Sequence, residues 1–248
     1  MIFYPMPHYL MRKSVLLKLL KKYNCENKNL LEIGYGAGEI FESYLKMRIK
    51  VFGYDFSEEA YQHAQNKYAN HSDITLFTAP SELKAESFDV LIDSEVLEHI
   101  EHDLCALQTW HSYLKTHGVI IVSVPAHKKR WGQSDMAFGH FRRYEKSEII
   151  ELVEKAGFSV SEFLTYDFPS CLFLDPLRNN RINKLASKYI PNSGSLETAS
   201  KISGIARDEN KIIRFLSKPI FINPIIFFQQ LFYTTNLGSG AIIVGWKK

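Results

Sequence analysis

Cysteine is scarce in this chain: Cys25, Cys105 and Cys171 are the only three among 248 residues. They lie far apart without paired spacing, which excludes a disulfide framework and a zinc-ribbon type of metal site. No other set of metal ligands can be picked out, so no metal is expected, and the thiol usage points to a reducing cytoplasm. A charge excess of one sign is also missing. With 30 Lys and Arg against 27 Asp and Glu, the formal net charge is +3, too weak a balance to call for a nucleic-acid partner. Long hydrophobic runs are missing too. The most apolar stretch, Pro219 to Phe232, is broken by Asn223, Pro224 and two glutamines and does not span a bilayer unaided. Met1 is followed by Ile2-Phe3-Tyr4-Pro5, with neither a basic region nor a small-residue cleavage site, so no secretory signal is expected. Internal repeats, low-complexity tracts and long charge blocks are absent, which leaves a reading of alternating strands and helices.

What is present is an alternation of strand and helix patterns, in a chain that is 46% hydrophobic and can bury a sizeable core. Leu10, Val15, Leu16, Leu19 and Leu20 mark a first helix. Strands are expected at Asn29–Ile33, Lys50–Tyr54, Ile74–Thr78, Phe88–Asp93, Val119–Val124, Phe158–Thr165 and Ala241–Trp246. Ser57 reads as the cap of a helix carrying Glu58 and Glu59 in its first turn. A further helix is expected between Asp103 and Lys115, ended by Gly118, and another from Lys146 to Lys155, ended by Gly157. The expected fold is therefore α/β, Rossmann-like, with a seven-stranded, mostly parallel, doubly wound sheet. Residues 170–238 are too many for a bare loop and read as a helical insertion before the last strand. One domain over 1–248 is expected: a helix within 1–28, a core over 29–169, the insertion as a lid, and a last strand within 239–248.

Gly34, Gly36 and Gly38 follow the first strand directly and precede a helix, where the lack of a Cβ allows a sharp turn and close approach to a ligand. That arrangement suits the pyrophosphate of a dinucleotide or the amino-acid end of S-adenosylmethionine, either held at a helix start. Position 39 separates the two, because the dinucleotide fingerprint calls for a small residue there and this chain has Glu39. Asp55, at the end of the second strand, suits both ribose hydroxyls in either class, and Phe56 beside it can flank an adenine ring.

At these residues the chain resembles the class I S-adenosylmethionine-dependent methyltransferases, and the pattern Val124-Pro125-Ala126-His127 followed by Gly139-His140 and Arg142-Arg143-Tyr144 resembles a bacterial subgroup of them associated with cell-surface glycan and lipid biosynthesis. Leu31-Glu32-Ile33-Gly34-Tyr35-Gly36-Ala37-Gly38 is similar to their first motif, and Phe88 to Ile92 followed by Ser94 to Ile100 is similar to their fourth strand and its turn. The likeness covers about residues 30–165. It implies Glu32 under the cofactor's amino group, and Gly34, Tyr35, Gly36 and Gly38 around its methionine part. It also implies Asp55 on the ribose, Phe56 and Ser81 near the adenine, and Ser94 and Glu95 as the pocket floor. Tyr35 stands where the family is usually small. Glu98 and His99 occupy positions of a pair common in the family, where capping a helix and taking part in chemistry are both open.

Methyl transfer from a sulfonium is an in-line displacement, so holding the nucleophile close to the methyl group is the main task. A hydroxyl acceptor also profits from a base. The loop after the fifth strand supplies His127 and His140 as candidate catalytic groups, with a structural hydrogen bond as the other role for His140. Arg142, Arg143 and Tyr144 form a candidate clamp for a phosphate or carboxylate, while Arg143 and Tyr144 serve equally well as anchors of the loop. In the insertion, Lys211, Arg214 and Lys218 lie among Ile212, Ile213, Phe215, Leu216 and the apolar run from Pro219. A lid on the sheet is the simpler reading, and a membrane-surface or oligomer patch is the other. The expected function is methyl transfer from S-adenosylmethionine to an oxygen or nitrogen of a small-molecule, sugar or lipid-linked acceptor, anionic acceptors included. An NAD(P)-dependent oxidoreductase and a non-catalytic cofactor-binding module are the alternatives. Peripheral contact with the inner face of a membrane is compatible with the apolar insertion, and the oligomeric state is open.

Overall fold

The most apolar strand lies inside a seven-stranded sheet ordered β3-β2-β1-β4-β5-β7-β6. The computed structural model describes residues 6–177, 179, 180, 215 and 217–248. The strands are β1 (Asn29–Ile33), β2 (Lys50–Tyr54), β3 (Ile74–Phe77), β4 (Phe88–Ser94), β5 (Leu114–Pro125), β6 (Phe158–Tyr166) and β7 (Gly240–Lys247). From β3 to β5 every neighbouring pair is parallel. Their near-continuous apolar runs reflect burial on both faces: Leu30, Leu31, Leu91, Ile92, Ile120 and Ile121 have no solvent exposure. The seven-stranded, mostly parallel Rossmann-like sheet expected from the sequence is thus present.

The chain packs as two units. A sheet unit comprises Leu16–Val124, Ser147–Phe163 and Ile242–Lys248. It carries the helices α2 (Phe41–Lys46), α3 (Glu58–Tyr68) and α4 (Asp103–Tyr113). Ser57 caps α3 by accepting from the Ala60 N–H, as its sequence position leads one to expect. The α4 boundary differs from expectation. The helix stops at Tyr113 and β5 begins at once, so Gly118 lies within a strand rather than at a helix end. The reason is a bulge: Phe88 faces Leu114 and Val90 faces Val119, so two steps along β4 are set against five along β5. His117, at φ 61°, takes the left-handed turn that Gly118 was expected to take.

The second unit comprises the described residues of Met1–Val15, Pro125–Lys146 and Leu164–Ala241. Its hub is Asp167, in left-handed backbone at φ 75° and buried. One carboxylate oxygen accepts from His8 Nδ1 at 2.7 Å and Ser239 Oγ at 2.8 Å, the other from Ser170 Oγ at 2.9 Å. The Asp167 N–H donates to Gln229 Oε1 at 3.0 Å, and Gln229 Nε2 donates to the Met11 carbonyl at 3.2 Å. Four stretches of chain thereby meet at this one residue. Part of the 170–238 insertion lies outside the described residues, Lys211, Ile212, Ile213, Arg214 and Leu216 included. Its described part holds helical residues 171–177 and the helix Pro219–Gln229.

Burial opposes ionisation of Asp167, but His8 and the Ser239 and Ser170 hydroxyls outweigh it and hold the carboxyl below its ordinary value of 3.8. A depressed folded-state value gives stability that is present above the unfolded value and is lost as pH falls through the folded one. Asp167→Asn should therefore cost about 3 kcal/mol near neutrality, roughly 6–12 °C in Tm for a chain of this size. Thermal melts across pH should show that gap closing as pH drops below 3.8. A gap of constant size down to strong acid would assign the loss to shape rather than charge.

Candidate active site

The first strand ends at Ile33, and the three glycines that follow all take positive φ, at 68°, 55° and 65°. Each has its own reason. A Cβ on Gly34 would fall 2.2 Å from Val96 Cγ2, so this position lets β1 and the segment after β4 touch. Gly36 meets nothing within 4 Å on the side a Cβ would occupy, and its N–H donates to Asp55 Oδ2 at 2.8 Å. Gly38 closes the turn, donating to the Tyr35 carbonyl at 2.9 Å while its own carbonyl accepts from the Tyr68 hydroxyl at 2.8 Å. The helix after the turn is α2, of only six residues. Phe41 N–H bonds back to the Gly38 carbonyl and Ser43 N–H to the Ile40 carbonyl, so the expected helix start with open N–H donors is replaced by the turn itself. Glu39, where the dinucleotide pattern calls for a small residue, pairs with Lys67 at 3.2 Å.

Tyr35 contributes backbone to this turn, whereas its ring is buried 5.4 Å from the Phe41 ring. Space for it comes from Gly53, where a Cβ would lie 2.7 Å from the Tyr35 ring. Asp55 is buried at the end of β2. Its two oxygens accept from the Gly36 and Ser57 N–H groups, which uses two of the roughly four acceptor positions of a carboxylate. Burial pushes its carboxyl up, against the downward pull of those two donors. Phe56 is 71% exposed beside it, as a platform for a flat ring would be. At the end of β4 the Ser94 hydroxyl oxygen is buried with no hydrogen-bond partner among the described residues. Glu95 stands in left-handed backbone at φ 62°, its N–H bonded to the Ser123 carbonyl. Glu32 is buried in β1, level with Gly53 and Ile92 on the neighbouring strands. Ser81 is exposed on a short turn, Pro80–Glu82. Glu82, unremarked in the sequence, holds the loop after β3 by accepting from the Thr78 and Ala79 N–H groups. Glu98 is buried and His99 half-buried in the turn Leu97–His99.

In the second unit, the segment after β5 is organised by Asp135, whose part the sequence did not reveal. Asp135 lies fully buried in α5 (Gln133–Phe138). It accepts from Arg143 Nε at 2.7 Å, His140 Nδ1 at 2.9 Å and the Gly132 N–H at 2.8 Å. Burial opposes its charge, but the bonds from His140 and Arg143 prevail and hold its carboxyl below the usual range. Arg143 is buried and also donates to the Ala126 carbonyl, and Tyr144 is buried with its backbone bridged to Ala126. Both residues thus hold the loop. Arg142 remains half-buried with its guanidinium 6.0 Å from the exposed Phe141 ring. His127 lies 3.6 Å from Glu145, yet burial, with Arg130 next, keeps its imidazole pKa low. The signal for Asp135 was the acidic residue three after Gly132, five before His140 and eight before Arg143.

Residues 6–162 match the family model described as a methyltransferase domain. The chain belongs to this methyltransferase family. The class I fold and the S-adenosylmethionine dependence read from the sequence agree with that membership. A Mycolicibacterium smegmatis protein named "Probable S-adenosylmethionine-dependent methyltransferase" is 24% identical over 163 residues, covering 63% of this chain and 62% of that one. The ubiquinone biosynthesis O-methyltransferase of Actinobacillus pleuropneumoniae is 30% identical over 106 residues, covering 39% and 45%. The chain therefore spans about half to three fifths of these curated relatives. Among solved structures, a Haemonchus contortus phosphoethanolamine N-methyltransferase in complex with S-adenosyl-L-methionine superposes with a TM-score of 0.59 at 14% identity. That match covers 95% of this chain and 52% of the other, and it speaks for the fold.

The residues present fit the family's cofactor. Open space above Gly36, the two remaining acceptor positions of Asp55 and the orphaned Ser94 hydroxyl are the features a ribose and amino-acid end would complete. Two glycines should then fail differently. Gly34→Ala overpacks against Val96 and should cost about 1–3 kcal/mol, read as a lowered Tm. Gly36→Ala has room for its methyl group and meets only the left-handed backbone strain at φ 55°, about 1–2 kcal/mol, so it should lower Tm less than Gly34→Ala and lose mainly ligand affinity. Calorimetry and thermal melts on both variants check this, and equal loss of Tm in the two would reject the distinction.

Proposed function

We propose that this chain transfers the methyl group of S-adenosylmethionine to an oxygen or nitrogen of a small-molecule, sugar or lipid-linked acceptor, with an anionic acceptor preferred. The observation that carries the proposal is the Gly36–Asp55 hydrogen bond at 2.8 Å beside open space. It sets the carboxylate proposed to bind the ribose directly at the glycine turn. When bound, the sulfonium cofactor supplies an electrophilic methyl group. The protein's part is to bind, orient and exclude water. Glu32, Ser94 and Glu95 are the proposed contacts of the amino-acid end, and Phe56 and Ser81 those of the adenine.

On the acceptor side, an ionised Asp135 accepts from His140 Nδ1, so that ring nitrogen carries the proton and Nε2 is the acceptor of the neutral imidazole. This is the tautomer that takes a proton from a hydroxyl. His127 is the alternative base, kept neutral at physiological pH by its lowered pKa. The ubiquinone O-methyltransferase relative supports a small-molecule oxygen as the receiving atom. Arg142 is the proposed anion contact, with Arg143 and Tyr144 shaping its loop. One domain acting over residues 1–248 is part of the same proposal. Glu39 and its ion pair speak against the oxidoreductase reading.

The deciding experiment is calorimetric titration with S-adenosylmethionine and S-adenosylhomocysteine in parallel with NAD and NADP. Binding of the first pair is expected, weakened about tenfold or more in Asp55→Ala, because hydrogen bonds to a charged group contribute about 1.5–3 kcal/mol each. Binding of the nicotinamide cofactors instead would reject the reading. A cofactor-binding protein that transfers no labelled methyl group to broad acceptor panels would be a binding module.

The two arginines should separate once an acceptor is in hand. Arg142→Ala should raise its KM with little change in Tm, and Lys at that position should rescue only partly. Arg143→Ala should instead lower Tm, since it leaves Asp135 short of a buried partner. Kinetics and melts on both variants test the split, and an unchanged KM in Arg142→Ala would remove the anion contact.

A further inference from the structure

The helix Pro219–Gln229 is turned the opposite way from an ordinary surface helix. Ile222 and Gln229 are its buried positions, seven residues apart on one face, and Tyr233, four residues on and just past its end, is buried too. Two of those three are polar, and Gln229 spends its amide on Asp167 and Met11. Two residues away, or roughly 200° round the helix, Ile220, Phe227 and Leu231 repeat the same spacing with 75%, 74% and 69% exposure. Pro224, also exposed, completes that stripe, and exposed Phe221 and Phe228 border it. Ring contacts continue the apolar surface: Phe228 packs on Phe232, Phe232 on Phe168, and Phe221 on Phe215. Beyond Phe168, Leu172, Phe173 and Leu177 are exposed as well. Scattered apolar residues on a surface need no explanation, but a contiguous stripe of this kind marks a surface that is covered in use.

Charge selects the occupant. From Lys211 to Tyr233 the sequence holds Lys211, Arg214 and Lys218 and no acidic residue. Lys218 stands at the start of the helix with its ammonium 5.5 Å from the Phe215 ring. Among the described residues 215 and 217–233, Lys218 is the one charged side chain, and apolar side chains beside a cation complement a hydrocarbon boundary under anionic headgroups. No described helix is long and apolar enough to cross a membrane, so the contact is with the surface. We infer that the Ile220–Pro224–Phe227–Leu231 face docks this chain onto an anionic lipid bilayer, with Lys218 at the headgroup level. This surface stands independently of the proposed methyl transfer, because it uses none of the residues assigned to it.

The test is co-sedimentation of the full chain with vesicles of phosphatidylcholine carrying roughly one phosphatidylglycerol in four, beside vesicles of phosphatidylcholine alone. Partition into the anionic vesicles is expected, reduced at roughly 0.5 M NaCl where headgroup attraction is screened. The double variant Ile220→Glu/Phe227→Glu should lose at least about tenfold of that partition at unchanged Tm and unchanged affinity for S-adenosylmethionine. Should that variant fold poorly, Leu231→Glu alone carries the same expectation. Absence of partition by the parent chain, equal binding to both vesicle types, or full binding by the variants would overturn the inference. So would a concentration-dependent dimer in sedimentation equilibrium that the double variant abolishes, because it would give the surface to a second copy of the chain.

Discussion

Parallel pairing of β1 with β2 on one side and β4 on the other is the constraint on which the candidate site depends. The register sets Ile33 level with Tyr54 and Asp93, and Tyr54 level with Phe77. One step further along each strand come Gly34, Asp55, Ser94 and Thr78. Residues scattered over some sixty positions of sequence thus arrive at one edge, because parallel strands all end there. An antiparallel pairing of the same segments would send alternate ends away. The Gly36–Asp55 hydrogen bond then ties two of these ends together across the β1–β2 seam.

Three buried aspartates show how differently one chemical group can be accommodated. Asp55 accepts backbone donors alone, and burial prevails, so its carboxyl is pushed up. Asp135 and Asp167 gain imidazole partners, joined by a guanidinium at the first and by two hydroxyls at the second, and both carboxyls are held down. The contrast follows from what each does. Asp55 accepts two neutral backbone donors, whereas each of the two that organise loops accepts three, charged or polar side chains among them.

Much of this was legible in the sequence, and the rest was hidden for identifiable reasons. β1 and β2 were read to their end residues, β1 as a short, mostly apolar run closed by Gly34 and β2 as a short β-prone run closed by Asp55. The Asp55 position followed from the same spacing. The α4–β5 junction was misplaced, since a glycine after a helical pattern signals a stop, while the turn is made by His117, whose left-handed backbone leaves no mark in sequence. Asp135 and Asp167 escaped notice because their partners, His140 and Arg143 for one and His8 and Ser239 for the other, are joined by folding and not by periodicity. Arg143 and Tyr144 stood next to Arg142 as one cluster, and only burial divides them into loop holders and an accessible cation.

The seat of Tyr35 against Gly53 has a consequence for how this chain can have arisen. A ring at position 35 fits only where position 53 lacks a side chain, since a Cβ there would stand 2.7 Å from it. The glycine therefore had to be in place before the tyrosine could be admitted without loss. Reversal is barred in the same order: while Tyr35 remains, any larger residue at position 53 is excluded. The two sites form a ratchet, in which an opening on the second strand made a bulky neighbour tolerable and the neighbour now forbids the opening to close.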